Sequence, residues 1–351
     1  MKDISRLISK IIPCDTQLEQ IAQRRLDSLT KPQGSLGRLE EIAKRLVIIT
    51  GQEWPRLKKK VLFTFAGDHG VTQEGISAYP SEVTAQMVYN FLHGGAGINV
   101  LARHIGARVV IADLGVASDL KPRAGLIIKK IGYGTQNMVK GSAMTRDEAI
   151  KSIEAGIEIF SNEYDNGIDI TGIGDMGIGN TTASSAITAV ITGEPVEKVT
   201  GKGTGITDQM LDNKIQTIKK AIEINKPVPN DPLDVLAKVG GFEIGGLAGV
   251  VIAAAQRRVP VVTDGFIATA GAVIATEIEP KIKDYIIASH RSQEAGHQVL
   301  LDKIGQKPFL DLDLRLGEGT GAALEINLIE AALKLYTEMA TFGEAHVSEK
   351  S

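Results

Sequence analysis

Apolar residues occur along this chain in two kinds of pattern, one of which predicts helices and the other strands. Residues 3–30 and 38–50 carry apolar side chains at helical spacing, and Pro32 with two glycines interrupts the pattern between them. Short and nearly continuous apolar runs, typical of buried strands, follow at residues 60–67, 108–114, 168–173, 259–264 and 285–289. Helical segments separate these runs. Five strands that alternate with helices predict an α/β fold with a doubly wound parallel sheet.

The two ends of the chain differ from this alternating middle part. The N-terminal 50 residues contain only helical patterns, and residues 321–341 form one further apolar helix. We therefore predict a helical N-terminal part at 1–50, an α/β domain at 51–321 and a C-terminal helix at 322–351. The first and last parts would pack together as one small helical domain. Residues 118–145 show no strand pattern and are interpreted as a connection.

The segment at residues 167–187 (GIDITGIGDMGIGNTTASSAI) is the centre of the functional prediction. A short strand is followed by four glycines in eight residues, a density that suits neither a strand interior nor a helix. Asn180, Thr181 and Thr182 then offer N-cap side chains to a run of small residues typical of a helix. A strand, a glycine loop and a helix start expose unpaired backbone N–H groups. This arrangement predicts an anion site, with phosphate as the anion.

The same segment contains the spacing Gly172-x-Gly174-x-x-Gly177, which allows three interpretations. A dinucleotide site needs an acidic residue about 20 positions further on, after a second strand. Glu194 and Glu197 lie at that distance, but in a predicted loop. A purely structural turn is the second alternative. We favour the third, a cradle for a mononucleotide or a sugar phosphate.

Polar residues also follow the predicted strands. Asp68 and His69 end the first strand, where open α/β sheets bind ligands, although an Asp–His pair that only fixes a loop is equally compatible. Metal binding is disfavoured because no second histidine or carboxylate stands nearby at ligand spacing. Lys214 lies one and a half turns into a predicted helix and is either an anion ligand or a solvated lysine.

Glu318 lies between Gly317 and Gly319 in the segment 311–321 (DLDLRLGEGTG), three positions after Arg315. A carboxylate bracketed by glycines contributes neither helix propensity nor packing. We interpret Glu318 as a candidate site residue, and the alternative is an exposed acid in a helix-capping loop.

Composition narrows the class of protein. The 351 residues carry a net charge of −3, from 39 basic and 42 acidic side chains, so the basic surface of a nucleic-acid binder is not expected. Cys14 is the single cysteine, which excludes an internal disulfide. The longest apolar runs, 244–255 and 265–276, are too short to span a bilayer, and the N-terminus does not look like a secretory signal. We predict a cytoplasmic protein without membrane contact.

Six segments together resemble one enzyme family, the nicotinate-nucleotide:dimethylbenzimidazole phosphoribosyltransferases of cobalamin lower-ligand synthesis. They occur in the family's order and run from about residue 18 to 345. Asp175 stands where many relatives carry glutamate. The segments are residues 31–39 (KPQGSLGRL), 66–71 (AGDHGV), 174–182 (GDMGIGNTT), 201–208 (GKGTGITD), 264–270 (DGFIATA) and 315–321 (RLGEGTG).

The resemblance implies a Rossmann-like domain, a small helical domain built from both termini, and a homodimer. It implies transfer of the 5-phosphoribosyl group from nicotinate mononucleotide to a benzimidazole-type base, giving α-ribazole 5′-phosphate and nicotinate. It implies neither a cofactor nor a metal. Glu318 would be the general base, and Tyr79, Pro80, Ser81, Met87 and Met176 would form the wall of the base pocket. The implied phosphoribosyl site comprises Asp175, Met176, Gly177, Ile178, Gly179, Asn180, Thr181, Gly203, Thr204, Gly205, Lys214, Arg315 and Gly317.

Two other functions compete with this one. A nicotinamide-dinucleotide-dependent dehydrogenase would use the glycines of residues 172–177, and a non-catalytic nucleotide-binding module would leave Glu318 without a role. Within the favoured family the acceptor stays open: 5,6-dimethylbenzimidazole, another benzimidazole, a purine or a phenol. Met87 and Met176 are flexible and polarisable, which indicates tolerance for several flat rings.

Overall fold

In the computed structural model, which describes residues 2–14 and 16–348, six parallel strands form one sheet in the order β3-β2-β1-β4-β5-β6. This order reverses between β1 and β4, as in doubly wound folds, and it confirms the predicted fold class. The strands are β1 (Lys60–Gly67), β2 (Arg108–Gly115), β3 (Leu126–Ile128), β4 (Ile170–Met176), β5 (Val261–Thr263) and β6 (Ile286–Ala288).

Helices cover both faces of the sheet and occupy the chain termini. Short 3₁₀ helices lie at Gly70–Glu74 and Pro280–Tyr285. The α-helices are α1 (Lys2–Ile8), α2 (Thr16–Ser28), α3 (Arg38–Thr50), α4 (Glu82–His93), α5 (Gly97–Ile105), α6 (Arg146–Tyr164), α7 (Asn180–Thr192), α8 (Val196–Val199), α9 (Asp208–Asn225), α10 (Pro232–Val239), α11 (Phe242–Gln256), α12 (Phe266–Ile278), α13 (His297–Lys303), α14 (Thr320–Glu338) and α15 (Phe342–Ala345).

Side chains of β1 alternate between the two helical layers, as the pleat of a strand requires. The ring of Phe63 lies 5.8 Å from that of Phe160 in α6, and Phe65 packs beside Gly246 in α11. On the other face, the Thr64 hydroxyl donates a hydrogen bond to the backbone of the loop that precedes α14. Every residue of β1 is buried, which explains its nearly continuous apolar sequence.

The layer formed by α6 and α11 depends on small residues where the two helices meet. A Cβ atom on Gly156 of α6 would overlap the carbonyl oxygen of Gly246 in α11. The two helix backbones therefore touch, and no larger side chain fits between them. Helix α6 begins with a capping box, since Thr145 Oγ1 accepts from Glu148 N at 3.2 Å and Glu148 Oε2 accepts from Thr145 N at 2.8 Å.

The terminal helices pack together, because Arg25 of α2 donates to the carbonyl oxygens of Tyr336 and Met339 at the end of α14. Helix α14 also packs against β4, β5 and α5, so the core is continuous from the terminal helices to the sheet. The division at residues 50/51 and 321/322 stays a prediction. No helix in the described ranges is long and apolar enough to cross a membrane.

Three expectations were wrong. Residues 118–145 contain the short edge strand β3, whose three residues are not fully buried and carry no clear strand pattern. Gly172 and Gly174 lie inside β4 rather than in a loop. The N-cap of α7 is Gly179, without a side-chain hydrogen bond, and the side chains of Asn180 and Thr181 make hydrogen bonds elsewhere.

Candidate functional site

An open cleft of about 330 Å³ lies at the carboxyl edge of the sheet, beside the point where the strand order reverses. The loops after β4, β5 and β6 and the segment before α14 build its walls. Its lining residues are Tyr79, Asp175, Met176, Gly177, Ile178, Asn180, Thr181, Gly203, Thr204, Gly265, Phe266, Ile267, His290, Ser292, Glu294, Arg315, Leu316 and Gly317.

One end of the cleft is the start of α7. Gly179 has φ +96°, and the helix start has no side-chain cap. Asn180 N and Thr182 N donate to the carbonyl oxygens of Gly177 and Gly179, whereas Thr181 N has no acceptor among the described residues. Asn180 Nδ2 donates to Asp175 Oδ2 at 2.8 Å, and Thr181 Oγ1 accepts from Lys214 Nζ at 2.8 Å. Of the three residues expected to cap the helix, Asn180 therefore holds the end of β4 and Thr181 holds Lys214, and the Thr182 hydroxyl has no hydrogen-bond partner among the described residues. The arrangement can bind an anion.

Lys214 brings a buried positive charge to this end. Its Nζ also donates to Gly201 O at 3.2 Å. Burial lowers the pKa of Lys214 to about 8, although the nearby Glu294 carboxylate opposes that shift. Arg315 enters from the other side and donates to Gly203 O at 3.3 Å. Two cations and a helix start therefore converge on the loop around Gly203, which suits a phosphate group.

Glu318 is buried beside the start of α5, where an exposed acid was the alternative expectation. It is 4% exposed and has φ +66°, a left-handed conformation that costs a non-glycine residue about 1–3 kcal/mol. Its Oε2 accepts a hydrogen bond from Ile98 N at 3.1 Å. A Cβ atom on Gly97 would lie 3.3 Å from the same oxygen and 3.1 Å from Leu316 Cδ2, so a larger residue there would crowd the carboxylate.

The environment makes Glu318 a stronger base than an ordinary carboxylate. Burial raises the pKa of Glu318, and the charge of Asp264 raises it further, whereas the N–H groups of Ile98 and Gly97 oppose the shift. A raised pKa strengthens the proton affinity of the ionised form, provided that this form is populated at the working pH. Ionised Glu318 therefore binds a proton more tightly than an ordinary glutamate carboxylate does.

Asp175, unlike Glu318, is one of the residues that line the cleft. Burial raises its pKa well above the ordinary value, and the carboxylates of Asp264, Glu243 and Glu318 act in the same direction. Its Oδ1 is buried and has no hydrogen-bond partner among the described residues. The Asp175 carboxyl therefore holds a proton to a higher pH than an ordinary aspartic acid does.

Asp68 and His69 lie at the end of β1 but do not line the cleft. His69 Nε2 and Glu243 Oε1 are 2.6 Å apart, and Asp68 Oδ2 accepts from Ala117 N at 2.8 Å. Burial lowers the pKa of His69, but the carboxylates of Glu243 and Asp68 outweigh it and raise the pKa overall. The pair fixes loops, as the structural alternative predicts. Within residues 2–14 and 16–348 no three His, Cys, Asp or Glu side chains are placed to hold a metal ion.

Two of the three glycines on which the dinucleotide interpretation depends have a structural role instead. A Cβ on Gly172 would meet Leu62 Cδ2 at 2.5 Å, and a Cβ on Gly174 would overlap the backbone of Glu318 and Gly319. These two glycines therefore make room for neighbouring parts of the protein, not for a pyrophosphate. Gly177 alone of the three lines the cleft.

The predicted site residues fall into two groups, and their roles in binding stay predictions. Most of the phosphoribosyl set lines the cleft, together with Tyr79 and Met176 of the base pocket. The cleft lining does not include Gly179, Gly205, Lys214, Glu318, Pro80, Ser81 or Met87. Residues that sequence reasoning missed are Gly265, Phe266, Ile267, His290, Ser292, Glu294 and Leu316. Of these, His290 and Ser292 carried a signal, because they directly follow the last predicted strand.

A doubly wound sheet with a cationic helix start and a buried carboxylate at its carboxyl edge defines an α/β protein that binds phosphorylated ligands. Comparison with known proteins narrows this class. The phosphoribosyltransferase family model matches residues 11–347. The chain belongs to the family of nicotinate-nucleotide–dimethylbenzimidazole phosphoribosyltransferases, because this family model, relatives of that name and a solved structure all match it over most of its length.

Relatives carrying that name are similar along almost their whole length. The protein from Geobacter sulfurreducens is 57% identical over 346 residues, which cover 99% of this chain and 98% of the relative. That from Chloroflexus aggregans is 55% identical over 350 residues, covering 100% and 99%. The crystal structure of the Thermus thermophilus protein has a TM-score of 0.91 at 43% identity, covering 96% of this chain and 100% of that one.

Proposed function

We propose that this protein transfers the 5-phosphoribosyl group from nicotinate mononucleotide to 5,6-dimethylbenzimidazole or a related base. The products are α-ribazole 5′-phosphate and nicotinate, in the nucleotide-loop branch of cobalamin biosynthesis. Full-length similarity to enzymes of that name supports the reaction. The observation that carries it is the buried carboxylate of Glu318 beside a cleft that has a cationic phosphate site at one end.

The chemistry needs one base and firm positioning. Nicotinate leaves as a neutral ring from a cationic pyridinium nitrogen, so its departure requires no acid. The attacking benzimidazole uses one nitrogen and must lose a proton from the other, which Glu318 would accept. Lys214, Arg315 and the start of α7 would hold the 5′-phosphate and keep C1′ in line with the nucleophile. Such positioning contributes up to about 7–11 kcal/mol to lowering a barrier.

A homodimer and a cytoplasmic location are further parts of the proposal, and they rest on the family resemblance. Tyr79 and Leu316 are exposed at the mouth of the cleft, with 54% and 60% of their surfaces accessible. Apolar side chains in such a place support a second copy covering the mouth. The natural acceptor base stays open within the proposal, since Tyr79 and Met176 suit any flat ring.

The test is nicotinate release from nicotinate mononucleotide with 5,6-dimethylbenzimidazole, for the wild type and Glu318→Gln side by side. We expect release that depends on the added base and falls about 10²–10⁴-fold in the variant, the usual contribution of a general base. Activity of the variant within about tenfold of the wild type would contradict the assigned role. No release by the wild type with any flat base would refute the reaction itself.

Glu325→Gln is the matched control. Glu325 is a buried glutamate in α14 that does not line the cleft. Burial raises its pKa to about 8, against the opposing charge of Arg38, so at pH 7 it is largely the neutral acid. Glutamine closely resembles a neutral glutamic acid in shape and charge. We therefore expect Glu325→Gln to keep activity near that of the wild type.

A further inference from the structure

Glu294 places a buried carboxylate beside the cations of the cleft. It is 8% exposed and lines the cleft together with Gly203 and Arg315. Its Oε2 is enclosed and has no hydrogen-bond partner among the described residues. A Cβ atom on Gly201 would lie 2.5 Å from this oxygen, so the carboxylate rests directly on the loop that carries Gly203. Buried carboxylate oxygens are normally paired, and the mechanism described above gives Glu294 no role.

The same loop contacts both cations of the phosphate end. Lys214 Nζ donates to Gly201 O at 3.2 Å, and a Cβ atom on Gly203 would lie 3.3 Å from Nζ. Arg315 donates to Gly203 O at 3.3 Å. The loop at Gly201 and Gly203 is therefore in contact with one buried carboxylate and two cations. An anion that binds to these cations must come close to the carboxylate as well.

The charge state of Glu294 is set by burial and by these neighbours. Burial raises the pKa of the Glu294 carboxyl, and the charge of Lys214, a hydrogen bond from the backbone of Gly203 and the charge of Arg315 oppose that shift. The two cations are thus what favours the ionised form. A ligand that neutralises them takes this support away.

Two histidines lie near Glu294 on the elements beside it. Burial lowers the pKa of His297 to about 3, so its ring is neutral, and its Nδ1 accepts a hydrogen bond from Ser292 N at 3.0 Å. His290 lines the same cleft, at the other end of the segment 290–294. It is the second titratable group that a bound anion could reach, so the experiment must separate it from Glu294.

A count of charges shows what a phosphate does to this group. A phosphate monoester carries about two negative charges at neutral pH, which balance the charges of Lys214 and Arg315. The Glu294 carboxylate would then be a buried negative charge without a counter-ion, and such a charge is strongly unfavourable. One proton on Glu294 removes this cost and turns the carboxyl group from a repelling neighbour into a hydrogen-bond donor for the anion.

We infer that Glu294 takes up a proton when a phosphate group binds to Lys214 and Arg315, and that it thereby controls the affinity of the cleft for phosphorylated ligands. The inference rests on the proposed function, from which it takes the phosphate end of the cleft. Because the bound form holds one more proton than the free form, the affinity falls as the pH rises. The carboxylate thus competes with the phosphate for the two cations and limits how tightly substrate and product are held.

The test is calorimetry of sulfate binding to the wild type at about pH 6.5, in two buffers with different enthalpies of ionisation. Sulfate is a tetrahedral dianion that does not titrate in this range, so any proton taken up belongs to the protein. Lys214, with its pKa lowered to about 8, is already mostly charged there and contributes little. We expect uptake of up to one proton per sulfate, and an affinity that falls by at most about tenfold per pH unit. Binding without proton uptake would overturn the inference.

Glu294→Gln assigns the proton to its residue. Glutamine keeps the size of the side chain and a donor for the anion, but it does not titrate. We expect this variant to bind sulfate about tenfold or more tightly than the wild type at neutral pH, with no proton uptake. Glu194→Gln is the matched control, because Glu194 is a glutamate outside the cleft that pairs with Lys198, and it should behave as the wild type does.

The remaining outcomes separate this inference from the reaction. Proton uptake that persists in Glu294→Gln would place the proton on another group, such as His290, and would refute the assignment. If the variant does not fold, the comparison of buffers with the wild type still decides whether a proton is taken up. Absent sulfate binding would remove the anion site and with it the inference. None of these measurements requires turnover, so failure of the proposed reaction would appear instead as absent nicotinate release in the wild type.

Discussion

Replacing Asp264 by asparagine should loosen the loop that carries Glu318 and lower the pKa of the Glu318 carboxyl. Asp264 follows β5 and is fully buried. Its Oδ2 accepts from Gly319 N at 3.0 Å, and its Oδ1 accepts from Gly321 N at 2.7 Å and Ala322 N at 3.3 Å. One carboxylate therefore caps α14 and holds the residue directly after the candidate base.

The energetic cost follows from this geometry. An asparagine oxygen in the Oδ1 position still accepts from Gly321 and Ala322, but its NH₂ group then faces the N–H of Gly319. One hydrogen bond to a charged group is lost, which is worth about 1.5–3 kcal/mol. We expect the free energy of unfolding to fall by at least that amount, and kcat to fall because the Glu318 loop is held less firmly.

The change in charge has a separate effect, on pH dependence. Only ionised Glu318 accepts a proton, so the rate rises as the pH passes upward through its pKa. The negative charge of Asp264 raises that pKa, with burial as the larger cause, while the N–H groups of Ile98 and Gly97 lower it. The neutral asparagine side chain in Asp264→Asn removes one of the raising influences. The rising limb of the pH–rate profile should therefore move to lower pH.

Thr64→Val is the matched control for this experiment. The Thr64 hydroxyl donates to Glu318 O at 2.8 Å, and valine removes that bond without changing any charge. It leaves a buried carbonyl without its donor, which costs about 1–3 kcal/mol. We expect kcat to fall in both variants and the profile to shift only in Asp264→Asn. Equal shifts in both variants, or a shift in neither, would refute the electrostatic reasoning.

Two further predictions concern the phosphate end and the core. Because burial lowers the pKa of Lys214 to about 8, its charge is lost as the pH rises through that value, and kcat/KM for nicotinate mononucleotide should fall there; Lys214→Met should remove this limb and raise KM about tenfold or more. Gly156→Ala should lower the melting temperature, since its Cβ would overlap Gly246 O and overpacking costs about 1–3 kcal/mol or more, while kcat per folded enzyme stays unchanged. A wild-type melting temperature would contradict the α6–α11 packing.

The parts of the fold that sequence predicted are those that leave a local pattern. Strand β1 is buried on both faces, and its nearly continuous apolar run is hard to mistake. The capping box of Thr145 and Glu148 lies within four residues, so it could be read directly. Strand β3 was not predicted, because it has only three residues and lies at the edge of the sheet. Its side chains are not fully buried, so they need not be apolar.

The missed parts of the site depend on contacts between distant residues. Gly174 reads as a loop glycine, but it is needed because the backbone at residues 318 and 319 lies directly on β4. Asparagine is a common N-cap residue, but the side chain of Asn180 donates a hydrogen bond to Asp175 instead of capping the helix. His290 and Asp264 are 26 positions apart and become neighbours only because β5 and β6 pair. No spacing rule within one segment could have found these relations.

The position of Glu318 follows from the sheet more than from its own loop. Thr64 on β1 donates to Glu318 O, Glu318 N donates to Asp175 O on β4, and Asp264 after β5 accepts from Gly319 N. Three adjacent strands thus hold one short segment, across the point where the strand order reverses. This support explains how a non-glycine residue persists at a positive φ, because the surrounding hydrogen bonds outweigh a local cost of about 1–3 kcal/mol. The candidate base is therefore held in place by the protein's own backbone and side chains.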